Sequence, residues 1–399
     1  MTNDQKTILD ILSQELFANT CSLKVEDWNA VYKESVQQAV SPLVYECLDK
    51  SLLPSDVLNA WKNDANAALA NNIRIIHNHA LLDQWMNEAE IPYVILKGAA
   101  SASYYPKPVY RSMGDVDFLV PLEYLDRAGE VLESQGLKKW KQEHDAHIVY
   151  RGYGKMHFEM HYKVAGIPEG KPGEIIRNYL KDIFENTRVQ GIGAESFVIP
   201  SHFYHGLVLL LHTIHHLTGE GIGLRHLCDW AVFENSLSDE EFCTLFEERL
   251  KEVGLWRFAQ ILTRVSIMYL GVEDREWSKL ENDTPVDAFM EDILSAGNFG
   301  NKDGDRSKQT LLISSRGKNG VGHNSMFSQF IQSMNYRINL RWPFTKKNGL
   351  YLILGWILYC IRYVGLIITG KRYVINASEL VHESSRRRNI YKDLKLYER

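Results

Sequence analysis

The chain has 399 residues, of which 45% are hydrophobic and 24% charged, and a formal net charge of −5. That length exceeds one ordinary core, so two domains are the default expectation, and the composition excludes a disordered or fibrous chain. The negative balance argues against bulk nucleic-acid binding and leaves room only for a local basic patch. Five scattered cysteines (Cys21, Cys47, Cys228, Cys243, Cys360) with no CxxC pair exclude a disulfide framework or zinc ribbon and fit a reducing compartment.

In chain order, residues 1–90 read as helical. The opening is polar and acidic, without the basic start and apolar run of a secretory leader. Ile8, Leu9, Ile11, Leu12 and Leu16 recur at helical spacing. Further helices are expected over 28–33, 42–50 and 54–88. Ser41 followed by Pro42 predicts a cap and a first helical position. Pro92, after Ile91, disfavours further helix and marks the next change.

Residues 91–165 switch to mixed α/β character. The stretch 91–121 reads as a strand, a turn at Lys97-Gly98, a short helix, a loop through Arg111 and a second strand carrying Asp115 and Asp117. An amphipathic helix over 122–135 is closed by Gly136. Short strands follow near 137–140 and 147–150, then a turn at 152–155 and a strand over 156–164. In that last strand His157, Glu159 and His161 share one face, and Phe158, Met160 and Tyr162 the other. A Pro/Gly loop with one amphipathic helix near 174–184 fills 166–193.

Helical spacing returns over 201–217, 222–235, 239–251, 256–270 and 285–296, with Ser201 and Ser238 as caps. The Gly- and Asn-rich run 297–325 predicts a mobile loop or linker. Residues 350–369 form an apolar run of transmembrane length. Arg362 in its interior is costly in a bilayer, so a buried helix or one lying on a membrane surface competes with a true span. The charged tail 384–399 is expected frayed, or helical at the surface. The division is then a helical region 1–90, an α/β core 91–195, a helical domain 196–296, a linker 297–325 and a C-terminal helical segment 326–399.

The chemistry concentrates in 91–165. Asp115 and Asp117 point to one side of their strand, and two adjacent carboxylates repel unless a cation lies between them. Mg²⁺ prefers such hard oxygen ligands, and a third carboxylate on a neighbouring strand, Glu159, completes a site able to accept the proton of an attacking hydroxyl. A strand that turns at Lys97-Gly98 into a helix offers backbone N–H groups to phosphate oxygens, with Lys97 as a counter-charge and Gly98 allowing close approach. Arg111 either clamps a phosphate or pairs with Asp115. His205, His212 and His216 fall on one helix face at a spacing compatible with a metal site, although Thr213 after His212 rules out an HExxH motif. Arg225 and Asp229, four apart, form a local ion pair or face the triphosphate.

The pattern Leu96-Lys97-Gly98, Tyr105-Pro106, Arg111, Asp115-x-Asp117-x-Leu119-Val120 and Glu159-x-His161 resembles the uncharacterised nucleotidyltransferase family, within the DNA polymerase beta-like nucleotidyltransferase superfamily. The resemblance runs over roughly residues 30–235. It implies an α+β fold, a small mixed sheet of nucleotidyltransferase type with flanking helices. It also implies Mg²⁺-dependent, two-metal, in-line transfer of a nucleoside monophosphate from a nucleoside triphosphate such as ATP. Asp115 and Asp117 match the family's metal-binding acids and Glu159 the position of the third. Lys97-Gly98 replaces the superfamily's Gly-Ser turn, with Ser101 in the first helical turn as the substitute phosphate contact.

The acceptor is open among a protein hydroxyl, an RNA end, a sugar and a small molecule. The expected setting is cytoplasmic, with peripheral membrane contact through 350–369 as an option. Three rivals remain: an inactive nucleotide- or partner-binding relative, a membrane-associated protein of surface-polysaccharide assembly, and a histidine-based metal protein.

Overall fold

Helical periodicity at the start of the chain produces α1 (Asn3–Phe17), α2 (Trp28–Gln37) and α3 (Ser41–Cys47). A computed structural model describes residues 1–21, 23–140, 146–152, 157–313, 325–370 and 377–398. The expected turn beyond residue 152, Met156, residues 314–324 of the expected linker and the basic pair Lys371-Arg372 lie outside the described residues. Thr2 and Gln5 cap α1 reciprocally. At α3 the cap expected at Ser41 is displaced by one. Val40 precedes the helix and Ser41 and Pro42 are its first residues, where a missing N–H costs no hydrogen bond.

α4 (Ser55–Glu88) has 34 residues, about 51 Å at 1.5 Å per residue, and joins two cores. Its first half buries Val57, Trp61 and Ala65 in the helical core. Its second half buries Ile75, Ile76, Leu82 and Met86 in the core of the sheet. The remaining elements of the mixed region are β1 (Val94–Ile95), α5 (Ala99–Ala102), β2 (Val116–Leu119), α6 (Leu125–Ser134), β3 (Lys138–Lys139), β4 (His147–Arg151), β5 (His157–His161) and α7 (Lys171–Tyr179). The five strands run in the order β1-β2-β5-β4-β3. β2 and β5 are parallel and the other neighbours antiparallel.

A hairpin of β6 (Thr187–Ile192) and β7 (Glu195–Pro200) follows, where the sequence predicts loop up to 193 and no element over 194–200. Its inward residues Phe197 and Ile199 close the sheet core, and the boundary expected at 195 falls at the start of β7. The turn glycine Gly193 between two alternating runs was the available signal.

The helical part comprises α8 (His202–Thr218), α9 (Leu224–Asn235), α10 (Asp239–Val253), α11 (Trp256–Leu270) and α12 (Thr284–Ala296). Ser238 caps α10 as expected, and Glu241 completes a capping box with it. Ser201 occupies the expected cap position of α8 but makes no side-chain cap bond. Side chains of α1 and α3 share one apolar core with those of α8 to α12. The fold is therefore α+β, a small mixed sheet flanked by helices.

Two expectations for the last third are corrected. Residues 306–313 of the expected linker form α13 (Arg306–Ile313), held by a buried ion pair from Arg306 to Asp292. α14 (Met326–Arg341) and α15 (Gly349–Ile368) then form a helical pair. The charged tail is helical, one of the two states expected of it, but as α16 (Ala377–Leu394) it is docked into the core rather than lying at the surface. Arg387 is 1% exposed and donates to the Leu217 and Gly219 carbonyls, and Tyr391 is fully buried. Carbonyls freed at the end of α8 accept the charge, which its local sequence could not reveal.

Candidate functional site

Strand alternation sets the site. Asp115 immediately precedes β2 and Asp117 is its second residue, so both project to one face. The parallel register places Asp117 beside Glu159 and Leu119 beside His161. Val116, Phe118, Phe158 and Met160 fill the opposite face, each with no exposure. The three acids expected to meet are thus on adjacent strands and on the same side.

Cations and histidines surround them. Lys97 Nζ lies 2.8 Å from Asp117 Oδ1, and His161 Nε2 lies 2.9 Å from the same oxygen. Glu159 Oε2 is 3.7 Å from both His161 Nε2 and His147 Nε2, His147 standing opposite His161 on β4. His157 Nδ1 is 3.9 Å from Asp115 Oδ2.

Burial pushes the Asp117 carboxyl up, but Lys97 and His161 outweigh it and hold the group far below the usual carboxylate range. Burial acts on Glu159 in the same sense, and the nearby His161 imidazole reverses it, so Glu159 is also lowered. Asp115 is the uncompensated member. Burial, then the charges of Asp117 and Glu159, push it up to about 7. Burial pulls the Lys97 ammonium down, yet the three acids raise it above its ordinary value.

The turn before α5 aims Lys97 into this cluster. Gly98 has φ 62°, ψ −110°, a conformation outside the regions open to residues with a Cβ. An added Cβ would stand 3.3 Å from His79 Nε2 and 3.5 Å from the Asp115 carbonyl oxygen. Glycine is therefore required by backbone shape, with the tight approach to the His79 ring on α4 as a second restraint.

Residues 24–271 match the family described as an uncharacterised nucleotidyltransferase. The chain belongs to that family. No curated protein matches it. The matched span contains all seven described strands and α2 to α11. Membership in a nucleotidyltransferase family implies a nucleoside triphosphate as substrate.

One expected member of the nucleotidyltransferase site, Arg111, lies elsewhere, and a second, Ser101, is enclosed within α5. Arg111 is 6% exposed and does not reach the carboxylates. It donates from Nε to Asp229 Oδ1 at 2.8 Å and from Nη2 to Asp229 Oδ2 at 2.6 Å. Tyr105 Oη donates to the same Asp229 Oδ1 at 2.8 Å. The expected clamp on phosphate, the pair with Asp115 and the local Arg225–Asp229 pair all give way to this buried fork, whose planar two-point match satisfies both ions at once. Ser101 is 1% exposed, and its Oγ has no hydrogen-bond partner among the described residues.

Arg225, released from Asp229, faces the site instead. Its Nη1 approaches the Ser112 carbonyl at 3.4 Å, its guanidinium lies 5.0 Å over the Phe299 ring, and its charge lowers Asp115. The expected grouping of His205, His212 and His216 is also revised. His205 is fully buried and stacks on Tyr104, with Nδ1 3.1 Å from its hydroxyl. His226 from α9 takes the third place beside His212 and His216, and the ligating atoms of these three lie within 4.8 Å of one another. Burial and neighbouring cations, including Lys97 and Arg225, hold all three rings well below the ordinary histidine range. Crowding of histidines was visible in the sequence, but which of them meet depends on how α9 packs on α8.

Proposed function

We propose that this chain transfers a nucleoside monophosphate from a nucleoside triphosphate to an acceptor hydroxyl, with Asp115, Asp117 and Glu159 as the site for Mg²⁺. The observation that carries this reading is the β2–β5 register, which sets three carboxylates on one face, where burial and then the charges of Asp117 and Glu159 push Asp115 up to about 7. Hard oxygen donors in that number suit Mg²⁺. When bound, Mg²⁺ supplies charge screening for the triphosphate and the attacking oxygen.

The chain's own groups have separate tasks. Lys97 and Arg225 face the acids from two sides and offset phosphate charge. The Gly98 turn presents backbone close to the acid strand. Arg111, through Asp229, positions the loop that leads into Asp115. In the transfer, the acceptor oxygen bonds to the α-phosphorus, the bond from that phosphorus to the bridging oxygen breaks, and pyrophosphate leaves. The hydroxyl proton passes to the Glu159 carboxylate, which its histidine neighbours keep ionised.

The test uses the full chain with α-labelled triphosphates, Mg²⁺ and a cell extract as acceptor pool. Label incorporation and pyrophosphate release are expected for the wild type and not for Asp117→Asn. Label that persists in the variant overturns the assignment. Nucleotide binding without pyrophosphate release in either protein identifies an inert binding relative.

A second observation favours a location. Leu350, Ile353, Leu354, Ile357, Ile361, Val364 and Ile368 lie on one face of α15 and are 44–78% exposed. The stripe is about 27 Å long, close to a bilayer's hydrocarbon thickness. Residues 306–378 carry eleven Lys and Arg and no Asp or Glu, in a chain of net charge −5. Arg337, Arg341 and Arg362, with Trp342, Tyr359 and Tyr363, line a cleft of about 570 Å³ between α14 and α15. We infer that this pair of helices rests on an anionic phospholipid surface. The wild type is expected to float with anionic vesicles and less with neutral ones, and a variant with Ile353, Ile357 and Ile361 all changed to Gln to remain in solution. Wild type that stays with the soluble fraction on both vesicles overturns it.

A further inference from the structure

We propose that His212, His216 and His226 form a second, nitrogen-ligated metal site, suited to Zn²⁺ and separate from the carboxylate cluster. The inference does not depend on nucleotidyl transfer. It begins with helix geometry. His212 and His216 are four apart on α8 and so stack on one face, and α9 carries His226 across to them. The ring centroids form a triangle with sides of 4.4, 5.7 and 5.6 Å. Three imidazoles around a tetrahedral zinc, each at about 2.0–2.1 Å, place their centroids about 5 Å apart. The preformed triangle needs only small ring rotations to close on an ion.

A second observation points to a ligand. His226 is 3% exposed, and neither ring nitrogen makes a well-aligned hydrogen bond among the described residues. A neutral imidazole has one donor and one acceptor, and leaving both unmet in the interior is costly. The Gly223 carbonyl interacts with the ring at poorer geometry. An N–H directed there leaves the far nitrogen for a metal, as metal-bound histidines commonly arrange.

Two features explain access and choice of ion. His212 and His216 are only half-buried, so an ion can enter from solvent. Phe299 covers the other side, its ring 4.6 Å from His216 and 5.2 Å from His226. It does so from a left-handed backbone, φ 56° and ψ 36°, which an aromatic residue rarely adopts without compensation. A donor set of three imidazoles, with no thiolate or carboxylate among them, favours zinc or a neighbouring transition metal over Mg²⁺. Three protein ligands leave a fourth position open, as in catalytic zinc sites. Arg225, 5.0 Å over the same Phe299 ring, favours an anion there, which a phosphate oxygen would provide.

The experiment is metal binding by the chelator-stripped full chain. Zinc is titrated against a chromophoric chelator, and cobalt(II) is added separately to read the visible bands of a tetrahedral site. One zinc per chain is expected, undisturbed by excess Mg²⁺. His216→Ala and His226→Ala should each weaken zinc by more than about 100-fold, since losing a mere outer-shell partner already costs up to about that much. His205→Ala and Asp117→Asn should bind zinc as the wild type does. The half-buried His216→Gln serves if His226→Ala fails to fold, with circular dichroism as the check. Absence of stoichiometric zinc, unchanged affinity in His216→Ala or His216→Gln, or loss confined to Asp117→Asn each overturns the site.

Discussion

Arg111 and Arg362 carry the same side chain into opposite surroundings. Arg111 is buried and gives both edges of its guanidinium to Asp229, 118 positions away. Arg362 is exposed on α15, within a stretch of 73 residues (306–378) that contains no carboxylate. Apolar side chains follow the same division. Around Arg111 they point inward, and along α15 seven of them point out. The surroundings of Arg111 close their charges and apolar surface within the chain, and α15 leaves both open to solvent.

The largest expected difference between them is in stability. Arg111→Met leaves Asp229 buried without its counter-charge and should cost about 3–5 kcal/mol. Arg362→Met should stay within about 0.5 kcal/mol. Urea unfolding of both variants measures this, and equal losses would break the comparison.

Next comes pH. His79 is fully buried, and burial lowers it to about 4 from an ordinary 6.5. A lowered base is neutral in the folded state and charged in the unfolded one between those values. Its contribution is present above pH 6.5 and is lost as the pH falls toward 4, by about 3 kcal/mol over that interval. The difference in unfolding free energy between pH 7 and pH 4 should therefore be smaller in His79→Leu than in the wild type. Equal pH dependence would assign the loss to other groups.

Glycines sharpen the contrast with opposite signs. A Cβ at Gly206 in α8 would stand 2.5 Å from the Phe246 ring and 2.7 Å from that of Phe233. Gly206→Ala should destabilise by about 1–3 kcal/mol through overpacking. A Cβ at Gly365 in α15 meets nothing within 4 Å. Gly365→Ala should stabilise α15 by about 0.5–1 kcal/mol, read as increased helicity of that segment by hydrogen exchange.

Most of the acidic half of the site was legible before the fold was known, because its rule is local. Asp115 with Asp117, and His157 with Glu159 and His161, share faces through strand alternation alone. The basic half was legible only at Lys97. Its place before Asp115 in sequence offers Arg111 a phosphate or Asp115, but burial in the core sends it to Asp229. His226 and Arg225 joined the site through the packing of α9 on α8. The tail illustrates the same limit, since a string of charges reads as surface until Arg387 finds the carbonyls at the end of α8.

By itself the sequence determined most of the helices, the strands of the five-stranded sheet, the Ser238 cap of α10, and which side of β2 and β5 carries acid. Those outcomes follow from backbone periodicity and hydrogen bonds spanning a few residues. Only tertiary structure decided that β5 lies parallel to β2 with Glu159 at Asp117, that Asp229 belongs to Arg111, and that three histidines from two helices converge. The first two join residues dozens of positions apart, and the third depends on how two successive helices pack. Which of several chemically suitable partners is chosen there depends on which pairing lets the surrounding side chains pack and leaves the fewest buried charges unmet.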